Sequence, residues 1–352
     1  MCSSLTRAGI TGRVGNARAG EHTTLNVVAV GASAGGVEAL TQFAAGLPPD
    51  LPYAVLVALH MPAGAPSVLA RIIDRNGPLR AVNAVDGAAL EHGTIYVAVP
   101  NRHLLVDHHR IVLSEGPTEN GHRPAINALF RSVALSYGQR GVGVLLSGVL
   151  DDGVLGSAAI RARGGITIAQ APHDALFPAM PQNAIDAGVI HHDDVPAAEV
   201  GGLLKQLADR DLEERDMEPD SRMELENRIA MARRFSTGFD TEKLGPPSGY
   251  TCPDCNGSLI SVSNGNYRCE VGHAWTSDAL LCARDQEVEG ALWIAVRSLQ
   301  EKVQLSRRLA SQVAPGMLRT RYDALADEAE HALAVLGSRL TEAHAEKSRA
   351  RD

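Results

Sequence analysis

A run of β-branched and small apolar residues, Asn26-Val27-Val28-Ala29-Val30, breaks into Gly31-Ala32-Ser33-Ala34-Gly35-Gly36 and continues as Val37-Glu38-Ala39-Leu40. The apolar period changes there from that of a buried strand to that of a helix, with glycines at the changeover. A turn of this kind exposes the side chain at its apex, which is Ser33. Gly31-Ala32-Ser33-Ala34-Gly35 matches the G-x-S-x-G elbow, where small neighbours let the backbone turn tightly and the N–H after the serine can face a developing oxyanion. A dinucleotide-binding turn would need glycine in place of Ser33 and a third glycine further on. Ser33 is therefore a candidate nucleophile, set against a plainer reading as a serine that caps or packs at a tight connection.

The rest of the chain must bury that strand. Its 352 residues suggest about two domains, and an aromatic content of only 4% leaves Ala, Val, Leu and Ile to build the core, as in buried parallel strands. From 25 to 204 short apolar runs alternate with helical patterns, predicting an α/β fold with a mainly parallel, doubly wound, Rossmann-like sheet. Strands are expected at 26–30, 54–59, 81–85, 94–99, 142–147 and 166–170, and helices at 37–45, 66–75, 124–137, 154–163 and 181–187. A hairpin is expected over 103–113.

Polar chemistry collects where these strands end. His60 follows the run Ala54-Val55-Leu56-Val57-Ala58-Leu59, and Asp151-Asp152-Gly153 follows the strand ending near Ser147. Ligands of open α/β sheets bind outside the carboxyl ends of the strands, so Ser33, His60 and one of the two aspartates can converge as nucleophile, base and orienting acid. Each has an ordinary alternative, a loop histidine or an aspartate capping a helix.

Taken in order, Gly31-Ala32-Ser33-Ala34-Gly35-Gly36, His60-Met61-Pro62, Ala98-Val99-Pro100 with His103, His122-Arg123-Pro124, Leu146-Ser147-Gly148-Val149-Leu150-Asp151-Asp152-Gly153 and Ala179-Met180-Pro181 resemble the catalytic domain of chemotaxis receptor protein-glutamate methylesterases of the CheB type. The resemblance implies Ser33, His60 and Asp152 as the catalytic set. It also implies hydrolysis of γ-glutamyl methyl esters on methylated chemoreceptor-like proteins, with deamidation of glutamine as a related activity. Backbone N–H groups at Ala34 and near Val149 are expected to form the oxyanion hole, and His122 and Arg123 to line the substrate groove or to organise a helix start. No cofactor is expected for catalysis.

Three departures stand out. Residues 1–24 are too few for the receiver domain that usually precedes this one and are expected to be disordered. Ala34 stands where threonine is common, and Val149-Leu150 replaces a Met-Gly pair. These changes leave two rivals to weigh: a noncatalytic signalling scaffold that keeps the fold, and a serine hydrolase of another protein acyl or amide group.

The last third changes character. Residues 205–249 read as a charged linker with a short helix over 221–234. In 250–280, Cys252-x2-Cys255 and Cys269-x3-His273 supply three thiolates and one imidazole, a closed tetrahedral set suited to a structural zinc, with Asn264-Gly265-Asn266 turning the ribbon between them. Five cysteines so clustered do not make a disulfide framework, and Cys2 and Cys282 receive no role. Over 281–352, Val288, Leu292, Val296, Leu299 and Val303, then Tyr322, Leu325, Ala329, Leu333, Leu336 and Leu340, predict two amphipathic helices broken at Pro315-Gly316. Such a hairpin packs on itself or offers a regulatory or dimer contact. A net charge of −8 argues against nucleic-acid partners. The lack of any apolar run near 18–20 residues or of a signal h-region predicts a cytoplasmic protein without membrane insertion.

Overall fold

The computed structural model describes residues 26–210, 218–232, 244–263 and 265–349. The expectations for 1–24, for parts of the linker and for Asn264 lie outside these residues.

In chain order the first part comprises β1 (Asn26–Ala32), α1 (Gly36–Ala45), β2 (Tyr53–Leu59), α2 (Leu69–Asn76), β3 (Arg80–Asn83), β4 (Thr94–Val97), β5 (His103–Asp107), β6 (Arg110–Ser114) and α3 (Ile126–Tyr137). It continues through β7 (Gly141–Leu145), α4 (Val154–Ala162), β8 (Ile166–Gln170), α5 (Ala179–Asp186), β9 (His192–Val195) and α6 (Val200–Ala208). Seven strands make one sheet in the order β3-β4-β2-β1-β7-β8-β9, every neighbouring pair parallel. β5 and β6 form the separate hairpin.

The strand alternation explains the two cores. Val28, Val30 and Ala32 face one side of β1 and pack with Leu40 and Phe43 of α1, Ile73 of α2 and Leu204 of α6. Val27 and Ala29 face the other and pack with Ile126 and Phe130 of α3, Ile160 of α4 and Met180 of α5. With helices on both faces, a strand buried on both sides reads as the continuous apolar run seen in the sequence. The chain leaves β1 toward β2 and later returns to its other side as β7. The resulting switch point opens a crevice at the carboxyl ends of β1 and β7.

Two elements escape the sequence reading. β9 is an edge strand, His-Asp-Asp-Val, without an apolar run. α6 contains Gly201-Gly202, which breaks a helical pattern, yet a side chain at Gly201 would meet the Gly46 carbonyl at 2.2 Å, so close packing of α6 on the end of α1 requires the glycine. α2 begins at Leu69 instead of the expected Pro66, α3 at Ile126 instead of Pro124, and the predicted strand 81–85 is β3.

The second part begins with α7 (Ser221–Met231), capped by Asp220, which accepts from the N–H groups of Arg222 and Met223. Next come β10 (Pro247–Thr251), β11 (Ser258–Ser263), β12 (Asn266–Cys269) and β13 (Ala274–Thr276), an antiparallel four-stranded sheet. α8 (Ser277–Gln312) and α9 (Met317–Arg349) follow as the helical hairpin. Small buried residues Ser306, Ala310, Ala326 and Ala329 allow close approach, and Arg307–Asp327 (2.6 Å) and Lys302–Glu328 (3.3 Å) flank it. Val288, assigned by periodicity to the apolar stripe, is instead 59% exposed.

The two parts share a buried ion cluster. Glu119, in the loop before α3, meets Arg131 of α3 at 2.5 Å and Arg268 of β12 at 3.3 Å, while Arg268 also reaches Glu226 of α7 at 3.1 Å. Burial opposes the charge on Glu119, but Arg131 and Arg268 outweigh it and lower its carboxyl to about 2, against 4.5 ordinarily. Its contribution to stability is therefore complete above pH 4.5 and lost as pH falls toward about 2. Arg268→Ala leaves Glu119 and Glu226 short of a partner, and denaturant unfolding of that variant is expected to show a loss of about 3–5 kcal/mol at pH 7.

Candidate functional site

The site is assembled from three strand ends. β1 delivers Ser33, β2 delivers His60, and the loop after β7 delivers Asp152. Ser33 N–H donates to the Ser147 carbonyl (2.9 Å) and His60 N–H to the Ala32 carbonyl (3.1 Å), which extends the parallel ladder past the strands and fixes both residues at its edge. The turn after Ser33 needs Gly35, whose φ is +67°, a conformation few side chains tolerate. Gly148 is needed for space, because a Cβ there would stand 3.0 Å from that of Ser33 and 2.7 Å from the Met180 sulfur.

The three side chains form one relay. Ser33 Oγ lies 3.1 Å from His60 Nδ1, and His60 Nε2 lies 2.7 Å from Asp152 Oδ2. Because the carboxylate can only accept, it places the imidazole proton on Nε2 and leaves the Nδ1 lone pair facing the serine. The expected set is thus brought together, with Asp152 and not Asp151 bonded to the histidine.

Asp152 is 2% exposed and sits at the amino end of α3. Its Oδ2 accepts from Ile126 N–H (2.7 Å) and its Oδ1 from Asn127 N–H (3.1 Å), two of the donors a helix start leaves unpaired. Burial raises its pKa, but the His60 hydrogen bond and charge, with the Ile126 N–H, prevail and hold the carboxyl below the ordinary aspartate value. Asn127 Oδ1 in turn accepts from the N–H groups of Gly153 and Gly156, holding the loop that carries Asp152. Nothing in the sequence marks Asn127; only the packing of α3 on α4 reveals it.

Asp151 has a different role. Its Oδ1 accepts from the Thr276 hydroxyl at 2.9 Å, so it faces the second part of the chain. Burial, aided by the Asp152 charge, pushes its carboxyl up to about 6 although the Thr276 hydrogen bond opposes this.

His122 stacks on His60 with ring centroids 3.7 Å apart and an interplanar angle of 13°. Burial and the neighbouring His60 lower its pKa to about 4, so it is a neutral wall at pH 7. With Arg123 it lines an open groove of about 440 Å³ that reaches His60, Met61 and Thr118. Arg123 is also structural, donating to Asn101 Oδ1 and to the Glu115 and Gly116 carbonyls. The Ala34 carbonyl accepts from Ser147 Oγ at 2.8 Å, while the N–H groups of Ala34 and Val149 have no protein acceptor among the described residues.

The second cluster lies in the antiparallel sheet. The ligand atoms of Cys252, Cys255, Cys269 and His273 all lie within 4.8 Å of one another. The separations are 3.7 Å (Cys252 Sγ to His273 Nδ1), 3.5 Å (Cys269 Sγ to His273 Nδ1) and, for the sulfur pair Cys255 Sγ to Cys269 Sγ, 3.7 Å, far too long for a disulfide. All three are close to the edges of a tetrahedron with roughly 2.3 Å metal–sulfur bonds, so the donor set fits zinc.

A parallel sheet wound on both faces, with a hydrogen-bonded Ser-His-Asp cluster at its switch point, defines an α/β protein of the doubly wound class. The chain belongs to the CheB methylesterase family, whose model matches residues 28–204. It is 35% identical over 188 residues to a protein-glutamate methylesterase/protein-glutamine glutaminase of Nitratidesulfovibrio vulgaris, covering 51% of each chain. Against a protein of the same name from Methanosarcina acetivorans the identity is 39% over 164 residues, covering 44% of this chain and 46% of the other. The chain thus spans about half the length of the curated relatives it matches. The crystal structure of the Thermotoga maritima CheB methylesterase catalytic domain superposes with a TM-score of 0.50 at 27% identity, covering 52% of this chain and 98% of that one.

The adjacent aspartates should respond oppositely to substitution. Asp152→Ala strands three donors and is expected to lower unfolding free energy by about 2–4 kcal/mol at pH 7. Asp151→Asn keeps an acceptor for Thr276 and removes a carboxylate whose penalty is absent below pH 3.8 and complete above about 6. Thermal unfolding should show that variant about 1–2 kcal/mol more stable at pH 8, with the difference gone at pH 3.5.

Proposed function

We propose that the protein is a protein-glutamate methylesterase that acts on methylated chemoreceptor-like signalling proteins, with glutamine deamidation as a side activity. The Ser33–His60–Asp152 relay, in a chain of the CheB methylesterase family, carries this reading. Exposed Val149 (43%), Leu176 (65%) and Phe177 (41%) near the serine turn suit a protein surface better than a small polar ester.

In this mechanism His60 Nδ1 takes the Ser33 proton as Oγ attacks the glutamyl ester carbonyl, and Asp152 stabilises the imidazolium. The N–H groups of Ala34 and Val149 receive the oxyanion, each contributing about 3 kcal/mol. The imidazolium returns its proton to the leaving methoxide, methanol departs, and a glutamyl ester of Ser33 remains. His60 then deprotonates a water that attacks this ester. The proton returns to Ser33 and the glutamate carboxylate is released. Neutral His122 and the held Arg123 shape the groove wall.

We further assign residues 25–204 as the catalytic unit, with α6 running on to Ala208, 205–249 as a charged linker that carries the short helix α7, 250–280 as a zinc ribbon whose end already starts α8 at Ser277, and 281–352 as a helical arm. Zinc held by Cys252, Cys255, Cys269 and His273 would be structural, because four protein donors leave no open position. Exposed Leu281, Trp293 and Ile294 support a regulatory or dimer contact through α8. A cytoplasmic setting suits a chain in which no helix of the described residues is long and apolar enough to cross a membrane.

Methanol release from carboxyl-methylated receptor signalling domains tests the assignment. Ser33→Ala is expected to lower it by on the order of 10³-fold or more; an intact chain no better than that variant would favour the scaffold. Metal analysis should find one zinc per chain, lost in Cys252→Ser, and a fully folded metal-free protein would refute the ribbon assignment.

A further inference from the structure

Thr276 is where the C-terminal helices meet the relay. It is 5% exposed. Its N–H donates to Asn120 Oδ1 (2.9 Å), and its hydroxyl donates to Asp151 Oδ1 (2.9 Å) while accepting from Ala279 N–H (3.2 Å) in the first turn of α8. Both partners on the catalytic side belong to loops that build the site. Asp151 precedes the acid of the relay, and Asn120 lies two residues before the histidine stacked on His60.

The contact is reinforced around it. Asn120 N–H donates to the Ala274 carbonyl (2.8 Å) and Ala274 N–H to the Thr118 carbonyl (3.1 Å), so β13 pairs with the loop that carries His122. Thr118 also donates its hydroxyl to Asp254, between Cys252 and Cys255. The acid loop itself is under backbone strain, because Leu150 holds φ +60° without being glycine. Asn183 Nδ2 secures one side by donating to the Leu150 carbonyl at 2.8 Å, and Thr276 secures the other. A strained loop persists only where its surroundings over-determine it.

We propose that Thr276 is a positioning residue for the Ser33–His60–Asp152 relay, making the ribbon and the first turn of α8 working parts of the esterase site. The inference rests on the esterase reading. A module that served only as a tether would need no hydrogen bond to the residue beside the catalytic acid. Misplacing a reacting group by about 1 Å costs up to about 10²-fold in rate, which sets the scale of the effect.

The test uses the full chain as wild type, Thr276→Val and Thr276→Ser. It measures kcat and KM for methanol release, and the rate at which a fluorophosphonate probe labels Ser33. Thr276→Val is expected to lower kcat about 10-fold or more with KM within about 3-fold, and to slow labelling in parallel; Thr276→Ser, which keeps the hydroxyl, should restore both. Should Thr276→Val fail to fold or hold zinc, Asp151→Ala removes the same bond while leaving the α8 cap intact, and the same loss is expected. Wild-type kcat and labelling in the folded Thr276→Val protein, or in Asp151→Ala, would overturn the proposal. So would equal losses in Thr276→Val and Thr276→Ser. A wild type that is labelled but releases no methanol refutes only the methyl ester as substrate, and the labelling rates then decide the role of Thr276. A wild type that does neither refutes the hydrolase reading and this inference together.

Discussion

The carboxylate of Asp152 at the amino end of α3 is the interaction on which the site depends. It occupies two helix-start donors and fixes the His60 tautomer, while Asn127, one of those donors, uses its side chain to clamp the following loop. The same few atoms thus begin two helices, α3 and α4, and aim an imidazole. A charge this deeply buried is tolerable only because every oxygen is satisfied. The satisfied geometry is also what keeps the ring from turning away from Ser33.

Most of the catalytic half was legible because its grammar is local. The passage from β1 through Ser33 to α1 announces itself by a change of period, and His60 and Asp152 each follow a run of buried residues. Support for the relay was hidden, since Asn127 and Thr276 act through contacts between segments far apart in the chain. Asn127 carries no signal at its position, and Thr276 signals only the cap of α8, not its bond to Asp151. β9 and α6 were missed for related reasons: an edge strand needs no apolar run, and Gly201 answers to a neighbouring helix end and not to its own helix.

The C-terminal half shows the same division. Cysteine and histidine spacing predicted a compact donor cluster, which the distances within it match. Its docking could not be read, because Arg268 looks like any ribbon arginine until Glu119, Arg131 and Glu226 surround it. Two guanidinium groups and two carboxylates there leave no net charge. Their geometric demands specify one orientation of ribbon on catalytic sheet where an apolar contact would tolerate sliding.

The length of α8 has a mechanical consequence. At about 1.5 Å per residue, its 36 residues extend about 54 Å from Thr276 to the turn that leads into α9. The arm starts within one hydrogen bond of the acid loop and is stiffened along its length by its antiparallel partner. Anything gripped at its far end is therefore held off from Ser33 at a set radius, and the reach of the serine follows from a rigid strut, not from the slack of a linker.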